Sequence, residues 1–362
     1  MSVSKLRLNH FRNFKSRLLE LPSGISVIVG PNASGKTNIL EGLYLLSTGK
    51  SFRAKIEEEM VNYDSEVARA KGRLKSDGQA IDLEVVLTRG VLDIGKSVPE
   101  KVARKKLFVN GIAKRLIDFA GNFKITLFGP WDLDLVTESP SLRRRFLDSV
   151  LSQVDREYRR AVLSYERGLR QRNKLLFRIR EESLSRGQLL FWDKLLIKNG
   201  DYLTRLRGEF IDFINESPPL DDQLFKVEYE RSAISETRLE QYADEEVAAA
   251  TTLVGPHRDD LIIKESGQGN KKRKVYRELA RFGSRGEQRM SVLWLKLAEL
   301  NFIEEKSGER PTLLLDDIFS ELDHKHREVV MKISNKQQTI ITTADPHFIT
   351  GFKKVEKITL PG

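Results

Sequence analysis

One short segment constrains this chain more than any other, because residues 30–37 fit the pattern G-x-x-x-x-G-K-[ST]. The apolar run GISVIVG precedes the segment, and leucines at helical spacing follow it at Leu40, Leu43 and Leu46. A strand, a glycine-rich loop and a helix in this order form a cradle whose backbone N–H groups surround phosphate. We therefore expect a nucleotide-binding loop within an α/β fold.

Each position of this loop has an expected part in binding. The glycines let the backbone curl around the β-phosphate, Lys36 reaches the β- and γ-phosphate oxygens, and the Thr37 hydroxyl ligates Mg²⁺. The residues expected to hold the nucleotide are Gly30, Pro31, Asn32, Ala33, Ser34, Gly35, Lys36, Thr37 and Asn38.

A second segment, PTLLLDDIFSELD at 311–323, brings carboxylates to the same chemistry. Its leucine run predicts a buried strand that ends at Asp316, which we expect to bind the magnesium. Asp317 follows directly and could polarise the attacking water or hold it in line with the γ-phosphate. The run is also compatible with an ordinary strand end, and the phosphate loop upstream favours the catalytic interpretation.

The third segment, RFGSRGEQRMSVLWLKLAEL at 281–300, starts an amphipathic helix. Ser284, Gly286 and Glu287 lie at its N-terminus, where small residues and the helix dipole favour an anion. The same residues fit a plain N-cap, with Ser284 capping the helix and Glu287 or Gln288 closing the box. Residues alone leave both interpretations open.

Together the three segments resemble the ABC-type ATPases, in which the signature loop S-x-G-[QE] touches the γ-phosphate bound by the opposite subunit. The resemblance implies that ATP joins two copies of the chain and that hydrolysis lets them part. It makes Ser284 catalytic together with Lys36, Asp316 and Asp317. It also implies that Ser284, Gly286 and Glu287 contact the nucleotide.

Further segments narrow the resemblance. The stretches LVGPHRDDLII (253–263), SPSLRRRFLD (139–148) and NHFRNFKS (9–16), with SFR at 51–53, are similar to those of the RecF family of bacterial recombination-mediator ATPases, which is related to the SMC proteins. The match runs in order along nearly the whole chain. The chain departs from the usual family pattern at 130–132, at Glu138 and at Glu287.

The resemblance implies an ABC-type P-loop ATPase core, of mixed β-sheets with flanking helices, that contains an inserted helical domain. We expect the N-terminal part of the core at 1–130, the insert at 131–250 and the C-terminal part at 251–362. Within the insert, two apolar stripes separated by the polar break 181–188 predict a helical hairpin. Asn110-Gly111 between β-prone runs predicts a tight β-hairpin.

By position in the family pattern, Arg12 lies where related enzymes hold the base or the phosphates, with packing as the alternative. Ser320 and Asp323 would contact the second subunit across the dimer. Thr342 or Thr343 would stand at the switch position near the γ-phosphate. His257, in GPHRDD, fits either a salt-bridged structural corner or a role in nucleotide or DNA binding.

Positive charge indicates a polyanionic partner. The net charge is +10, and the excess is clustered: 141–180 carries twelve basic against four acidic residues, and 271–285 carries seven against one. Such clusters bind nucleic acid through its phosphates, although each alone could be a solvated helix face. The residues expected on DNA are Arg143, Arg144, Lys271, Lys272 and Arg273.

The resemblance therefore implies slow, DNA-stimulated ATP hydrolysis by a homodimer on duplex DNA and single-strand/duplex junctions. It implies RecR and RecO as partners, and help in loading RecA at damaged DNA. The alternatives are an ATP-gated structural adaptor without meaningful turnover, or another SMC-like or ABC-type ATPase.

Other classes fit the sequence poorly. A GTPase needs Asn-Lys-x-Asp, and neither Asn-Lys pair has the Asp. A transporter ATPase has its signature roughly a hundred residues after the loop, whereas Lys36 and Ser284 are 248 apart. An OLD-type nuclease would carry a further acidic metal cluster after the ATPase core. We expect no such cluster here, because the sequence ends at Gly362. The chain has no cysteine, no signal-peptide pattern and no apolar run of about 18 residues, so we expect a cytoplasmic, nucleoid-associated protein.

Overall fold

The computed structural model describes residues 1–76, 78–92, 100–266, 276–345, 347, 352 and 355–361. The chain divides into two compact units. Unit 1 comprises Met1–Trp131 and Ile303–Gly362, and unit 2 comprises Asp132–Phe302. From the sequence we expected residues 251–302 in the C-terminal part of the core, whereas in the structure they belong to unit 2 together with the middle of the chain. Strand pairing explains the grouping, because β12 (Asp260–Ser266) pairs antiparallel with β11 (Phe225–Glu230).

A five-stranded parallel sheet forms the centre of unit 1. Its order is β10 (Ile125–Phe128), β14 (Thr312–Asp316), β15 (Thr339–Thr343), β3 (Ile25–Val29) and β16 (Val355–Thr359). Each neighbouring pair is parallel. Parallel strands end at one edge of the sheet, and ligands of α/β proteins bind there. The ends of β3 and β14, predicted from the two motifs, therefore lie at one edge, separated by β15.

The second sheet of unit 1 is antiparallel and six-stranded. Its order is β2 (Phe14–Glu20), β1 (Ser2–Phe11), β4 (Val67–Ser76), β5 (Gln79–Thr88), β8 (Lys105–Val109) and β9 (Ile112–Lys114), and the short pair β6 (Val91–Leu92) and β7 (Glu100–Lys101) stands apart. The predicted hairpin at Asn110-Gly111 is confirmed: it joins β8 to β9, with φ of 51° and 78°. Buried apolar residues of both sheets and of helix α1 (Lys36–Thr48) form one core.

Unit 2 contains the predicted helical hairpin. After α4 (Pro140–Val154), α5 (Arg156–Glu182) and α6 (Leu190–Glu216) pack along each other. They approach closely at Gly168, where a Cβ would lie 2.6 Å from a methyl carbon of Leu195. A three-stranded sheet of β11, β12 and β13 (Tyr276–Glu278) accompanies them. The middle of the chain is thus not purely helical.

The remaining helices complete the two units. They are α2 (Leu116–Phe119), α3 (Asp134–Thr137), α7 (Glu236–Gln241), α8 (Ala243–Ala249), α9 (Leu279–Phe282), α10 (Arg285–Ser307) and α11 (His324–Ser334). Among the residues described, no helix combines the length and the apolar character that crossing a bilayer requires.

The GPHRDD segment is a structural corner of unit 2. Arg207 is buried and forms ion pairs of 2.9 Å with both Asp148 and Asp259. Asp259 also accepts the backbone N–H of Ser232 at 2.7 Å. His257 accepts the hydroxyl of Tyr165 at Nδ1 (2.8 Å), and its Nε2 faces the carbonyl of Thr252 at 3.0 Å. The ion pair and hydrogen bonds of this loop therefore stabilise the structure of unit 2.

Two arginines that were expected on DNA belong to the same corner. Arg143 forms a bidentate ion pair with Asp260, at 2.6 and 2.9 Å, and only 11% of its side chain is exposed. Arg144 donates to the carbonyl of Asp259 at 2.7 Å. Both guanidinium groups thus hold α4 against the start of β12, because burial favours pairing a charge over leaving it alone. Their DNA contacts remain a prediction without support from this geometry.

We predict a pH-dependent stability from His257. Burial, followed by the charges of neighbouring arginines, lowers the pKa of its imidazole from 6.5 to about 4. The unfolded chain then binds a proton that the folded chain does not, so this stability is present above pH 6.5 and is lost as pH falls toward 4. The full loss is about 3 kcal/mol.

Urea unfolding at pH 7.0, 5.5 and 4.5 checks this, with His257→Gln as the control that lacks the titrating ring. Between pH 7.0 and 4.5 the wild-type chain should lose more free energy of unfolding than the variant. Parallel pH profiles for the two chains would show that His257 does not titrate in this way.

Candidate nucleotide-binding site

The loop between β3 and α1 has the backbone that its glycines predict. Gly35 has φ of 99°, and a Cβ there would lie 2.5 Å from the ring of Phe14 and 2.7 Å from the side chain of Asn13. Ala33 also lies in the left-handed region, at φ 66°. Only glycine combines such a φ with so little space, so the glycine at 35 is a requirement of the fold.

Lys36 lies across the mouth of this loop. Its ammonium donates to the carbonyls of Gly30 at 2.7 Å and Pro31 at 2.9 Å, and the side chain is buried. The hydroxyl oxygen of Ser34 is buried without a hydrogen-bond partner among the described residues. Helix α1 has neither a side-chain cap nor an acidic residue in its first turn. A cation, an unsatisfied hydroxyl and the positive end of a helix dipole together suit an anion.

Thr37 and Asp316 meet at the sheet edge, although they are far apart in the sequence. The Thr37 hydroxyl donates to the Asp316 carboxylate at 2.7 Å, and Asp316 is 4% exposed at the end of β14. Among the described residues, no group of three His, Cys, Asp or Glu side chains could hold a metal alone. One hydroxyl and one carboxylate are hard oxygen ligands of the kind Mg²⁺ takes alongside phosphates and water. The residues present fit that ion.

Asp317 combines a left-handed backbone with a carboxyl whose pKa is raised. Its backbone adopts φ of 48°, and its N–H donates to the carbonyl of Thr342 at 3.1 Å and to the Thr342 hydroxyl at 3.2 Å. Burial and the neighbouring charge of Asp316 raise the pKa of the Asp317 carboxyl, against the opposing effect of Lys36. A raised pKa makes this carboxylate a better base than an ordinary aspartate.

The structure distinguishes the two threonines at the switch position. The Thr342 hydroxyl hydrogen-bonds the carboxylate of Asp316 and accepts from Asp317. The Thr343 hydroxyl instead donates to the carbonyl of Asp345 at 3.0 Å. Thr342 is therefore the hydroxyl that lies beside both aspartates.

A buried carboxylate that the sequence analysis missed anchors α1. Glu41 is fully buried and accepts from Arg12 at 2.6 and 2.8 Å, from Arg53 at 2.8 Å and from the Ser51 hydroxyl at 2.6 Å. Burial alone would raise the pKa of Glu41, but these donors outweigh it and lower the pKa. The signal in the sequence was an acid placed among the leucines of an apolar helix.

The same network decides where Arg12 and Asn38 point. Arg12 also donates to the carbonyl of Glu59 at 2.6 Å, so its guanidinium is largely engaged within unit 1. Asn38 donates to Asn13 at 2.6 Å and accepts from Arg53. Their predicted contacts with nucleotide stay predictions, and the structure gives each a definite part in holding the start of α1.

The signature segment lies in unit 2 and forms a capping box. The Ser284 N–H donates to the Glu287 carboxylate at 2.7 Å, and the Glu287 N–H donates to the Ser284 hydroxyl at 3.3 Å. The N–H of Ser284 accordingly lowers the pKa of Glu287. Arg277 from β13 pairs with Glu287 and Glu265. Ser284 and Gly286 are exposed at the start of α10. The capping interpretation holds, and it leaves this end of the helix accessible.

The two residues expected at a dimer contact are both exposed. Ser320 donates its hydroxyl to the carbonyl of Asp317 at 2.7 Å, which ties this loop to the aspartates of unit 1. Asp323 caps α11 by accepting the N–H of His326 at 3.0 Å, and that hydrogen bond lowers the pKa of Asp323. Lys271, Lys272 and Arg273, expected on DNA, lie outside the described residues.

Comparisons with known proteins agree with one another. Residues 2–361 match the model of the RecF/RecN/SMC N-terminal domain family. The DNA replication and repair protein RecF of Herpetosiphon aurantiacus is 37% identical, over 97% of this chain and 96% of its own length. The protein of the same name from Roseiflexus castenholzii is 34% identical, over 94% and 93%.

Solved structures extend the likeness to three dimensions. A structure of the recombination mediator protein RecF-ATPrS in the RecFOR pathway has a TM-score of 0.85 and 29% identity, covering 99% of this chain and 96% of its own. A Smc head domain from Pyrococcus furiosus has a TM-score of 0.53 at 15% identity and covers 99% and 94%, which supports the fold alone. The expected ABC-type ATPase core is thereby confirmed.

We predict that Glu41→Gln destabilises the chain by about 3 kcal/mol, because it removes the buried carboxylate charge with which the half-buried Arg12 and the exposed Arg53 form ion pairs. Urea unfolding measures this. The matched control is Glu20→Gln, whose partner Lys5 lies at 2.8 Å in an exposed pair. An exposed pair contributes little, so the control should change the unfolding free energy far less. Equal effects of the two substitutions would contradict the anchoring role of Glu41.

Proposed function

The chain belongs to the RecF family, and from that premise we propose that it is a DNA-stimulated ATPase of replication and recombinational repair that dimerises on ATP. The observation that carries the proposal is the hydrogen bond between Thr37 and Asp316, next to the loop whose Gly30 carbonyl accepts from the Lys36 ammonium. This arrangement suits a triphosphate, because loop, ammonium and carboxylate meet at one edge of a parallel sheet. The RecF structure solved with ATPrS supports the choice of nucleotide.

The loop residues and Lys36 bind the phosphates in this proposal. The Lys36 ammonium has three donors and gives two of them to the carbonyls of Gly30 and Pro31. Exchange of those neutral carbonyls for anionic phosphate oxygens places a charge on the acceptor as well as on the donor, which makes the hydrogen bonds stronger. The hydroxyl oxygen of Ser34, which is buried without a hydrogen-bond partner among the described residues, gains a partner when phosphate binds.

Thr37 and Asp316 would hold Mg²⁺, which neutralises charge that develops on the phosphates during transfer to water. Asp317 accepts a proton from the attacking water, for which its raised pKa and its position beside Asp316 suit it. Thr342 keeps the backbone of Asp317 in its left-handed turn through the two hydrogen bonds to that N–H. In this proposal these residues orient the water and accept its proton. Slow hydrolysis is a separate part of the proposed function.

The second half of each site comes from another copy of the chain. The exposed start of α10, with Ser284, Gly286 and Glu287, offers the positive end of a 23-residue helix to the γ-phosphate bound by the partner protomer. The exposed Ser320 and Asp323 contact that partner. ATP then holds two protomers together, and hydrolysis releases them.

DNA is the proposed macromolecular substrate. The net charge of +10 supports binding through phosphates and shape, without reading of bases. We propose duplex DNA and single-strand/duplex junctions as the substrates. RecR and RecO are the proposed partners, and loading of RecA at gapped or damaged DNA is the proposed outcome. The relatives, called DNA replication and repair proteins, and the RecFOR pathway of the solved structure support this assignment.

Complementation between two inactive variants tests the shared site. Lys36→Ala should abolish ATP binding, and Ser284→Ala should bind ATP yet remain monomeric, as measured by analogue binding and light scattering. A mixture of the two should regain ATP-dependent dimers, because Lys36 of one protomer and Ser284 of the other rebuild one complete site. If the Ser284→Ala chain dimerises alone, or the mixture stays monomeric, the shared site is wrong.

Single-turnover hydrolysis with and without duplex DNA tests the enzymatic part. We expect slow release of phosphate that DNA accelerates. Dimerisation with ATP and no phosphate release under either condition would instead identify an ATP-gated adaptor.

A further inference from the structure

The outward face of the antiparallel sheet in unit 1 carries a regular array of positive charge. Along β4, the exposed side chains alternate with buried small and apolar residues. The exposed set is entirely basic and comprises Arg69, Lys71, Arg73 and Lys75. The pleat of a strand places alternate residues on one face, so these four form a single row.

Strand pairing extends the row sideways. In β1, Lys5 lies opposite Arg73, and Arg7 lies opposite Lys71. Val86 of β5 lies opposite Arg69 of β4 on one side and opposite Lys106 of β8 on the other. Lys106 is therefore on the same face of the sheet. We call these seven side chains the basic sheet face: Lys5, Arg7, Arg69, Lys71, Arg73, Lys75 and Lys106.

Acidic residues compensate this face only in part. Arg73 pairs with Asp82 at 2.8 Å, Arg69 with Glu84 at 3.0 Å and Lys5 with Glu20 at 2.8 Å. These three carboxylates stand against seven basic groups on the paired positions, which leaves a net charge of +4.

The ion pairs offset only part of the cost of this arrangement to the fold. Like charges directly opposite each other on neighbouring strands destabilise a sheet, and two such pairs occur here, Lys5 with Arg73 and Arg7 with Lys71. The opposite face of the same strands supplies the apolar core, with Leu6, Ala70 and Leu74 buried. A local cost that the ion pairs offset only in part indicates that the residues serve a ligand.

We propose that the basic sheet face binds the phosphate backbone of duplex DNA. Alternate residues of a strand are about 6.8 Å apart, so the row from Arg69 to Lys75 is about 20 Å long. That length spans about six base pairs at 3.4 Å per pair, with phosphates of both strands within reach of long side chains. The sheet has six strands, so it is about 24 Å wide, which is about twice the width of the major groove. It therefore does not enter a groove, and the contacts are to phosphates and carry no sequence preference.

The choice of DNA over another polyanion rests on the proposed function, whereas the location of the contact rests on the sheet alone. It also differs from the segments at 141–180 and 271–285 that the sequence indicated. Neutralising the row in β4 would bring the face from a net charge of +4 to zero, which makes the test direct.

The test combines four substitutions in β4: Arg69→Gln, Lys71→Gln, Arg73→Gln and Lys75→Gln. Fluorescence anisotropy with a labelled 30-base-pair duplex, at several KCl concentrations and with an uncleavable ATP analogue, gives the slope of log K against log salt. Each lost phosphate contact reduces the slope by about one, so we expect a reduction of about 3 to 4. Affinity at low salt should fall at least tenfold.

The matched control removes four exposed basic side chains elsewhere in unit 1: Lys306→Gln, Arg310→Gln, Lys332→Gln and Lys336→Gln. It changes the net charge equally and should keep the wild-type slope. Binding of the ATP analogue and thermal unfolding verify that both variants fold. The charge-preserving pair Arg69→Lys and Arg73→Lys should also bind DNA as the wild type does.

The outcomes separate this inference from the function on which it rests. A wild-type slope in the β4 variant, with intact DNA binding by the wild type, overturns the assignment of this face and leaves the proposed function standing. Equal loss in the β4 variant and the control also overturns it, since only net charge would then matter. Absence of duplex binding by the wild type at every salt concentration overturns both.

Discussion

The hydrogen bond between Thr37 and Asp316, at 2.7 Å, is the contact on which the candidate site depends. It joins residues 279 positions apart in the chain. The parallel order β14-β15-β3 makes it possible, since all three strands end at the same edge. The helix start that follows β3 thereby faces the carboxylates that follow β14, and Thr342 of β15 lies between them. A phosphate bound by the loop and an ion bound by Asp316 would necessarily be neighbours.

Buried ion pairs hold secondary-structure elements together within each unit. Glu41 ties the middle of α1 to Arg12 and Arg53, which come from segments before and after the phosphate loop and its helix. Arg207 plays the corresponding part in unit 2, where it joins Asp148 of α4 to Asp259. Buried charges of this kind are costly unless every one is paired. Their pairing therefore holds α1 in place within unit 1 and α4 in place within unit 2.

Sequence reasoning located what local pattern determines. The phosphate loop, the strand ending at Asp316 and the hairpin at Asn110 each depend on a few neighbouring residues, and the structure has all three elements. It could not find Glu41, whose partners are distant in sequence, nor see that Arg143 faces Asp260 across 117 positions. The basic sheet face could not be predicted from the sequence for a related reason. Its charges alternate with apolar residues along β4, and they meet those of β1 only through the register.

The edge formed by β3, β15 and β14 is the proposed binding site for a nucleoside triphosphate and its divalent cation. A crystal structure grown with an uncleavable ATP analogue and Mn²⁺, whose anomalous signal locates the cation, measures this directly. We expect the Mn²⁺ peak beside Thr37 and Asp316, with the Lys36 ammonium moved from the carbonyls of Gly30 and Pro31 onto phosphate. A cation peak remote from Asp316, or an analogue bound elsewhere while Lys36 stays on those carbonyls, would contradict it.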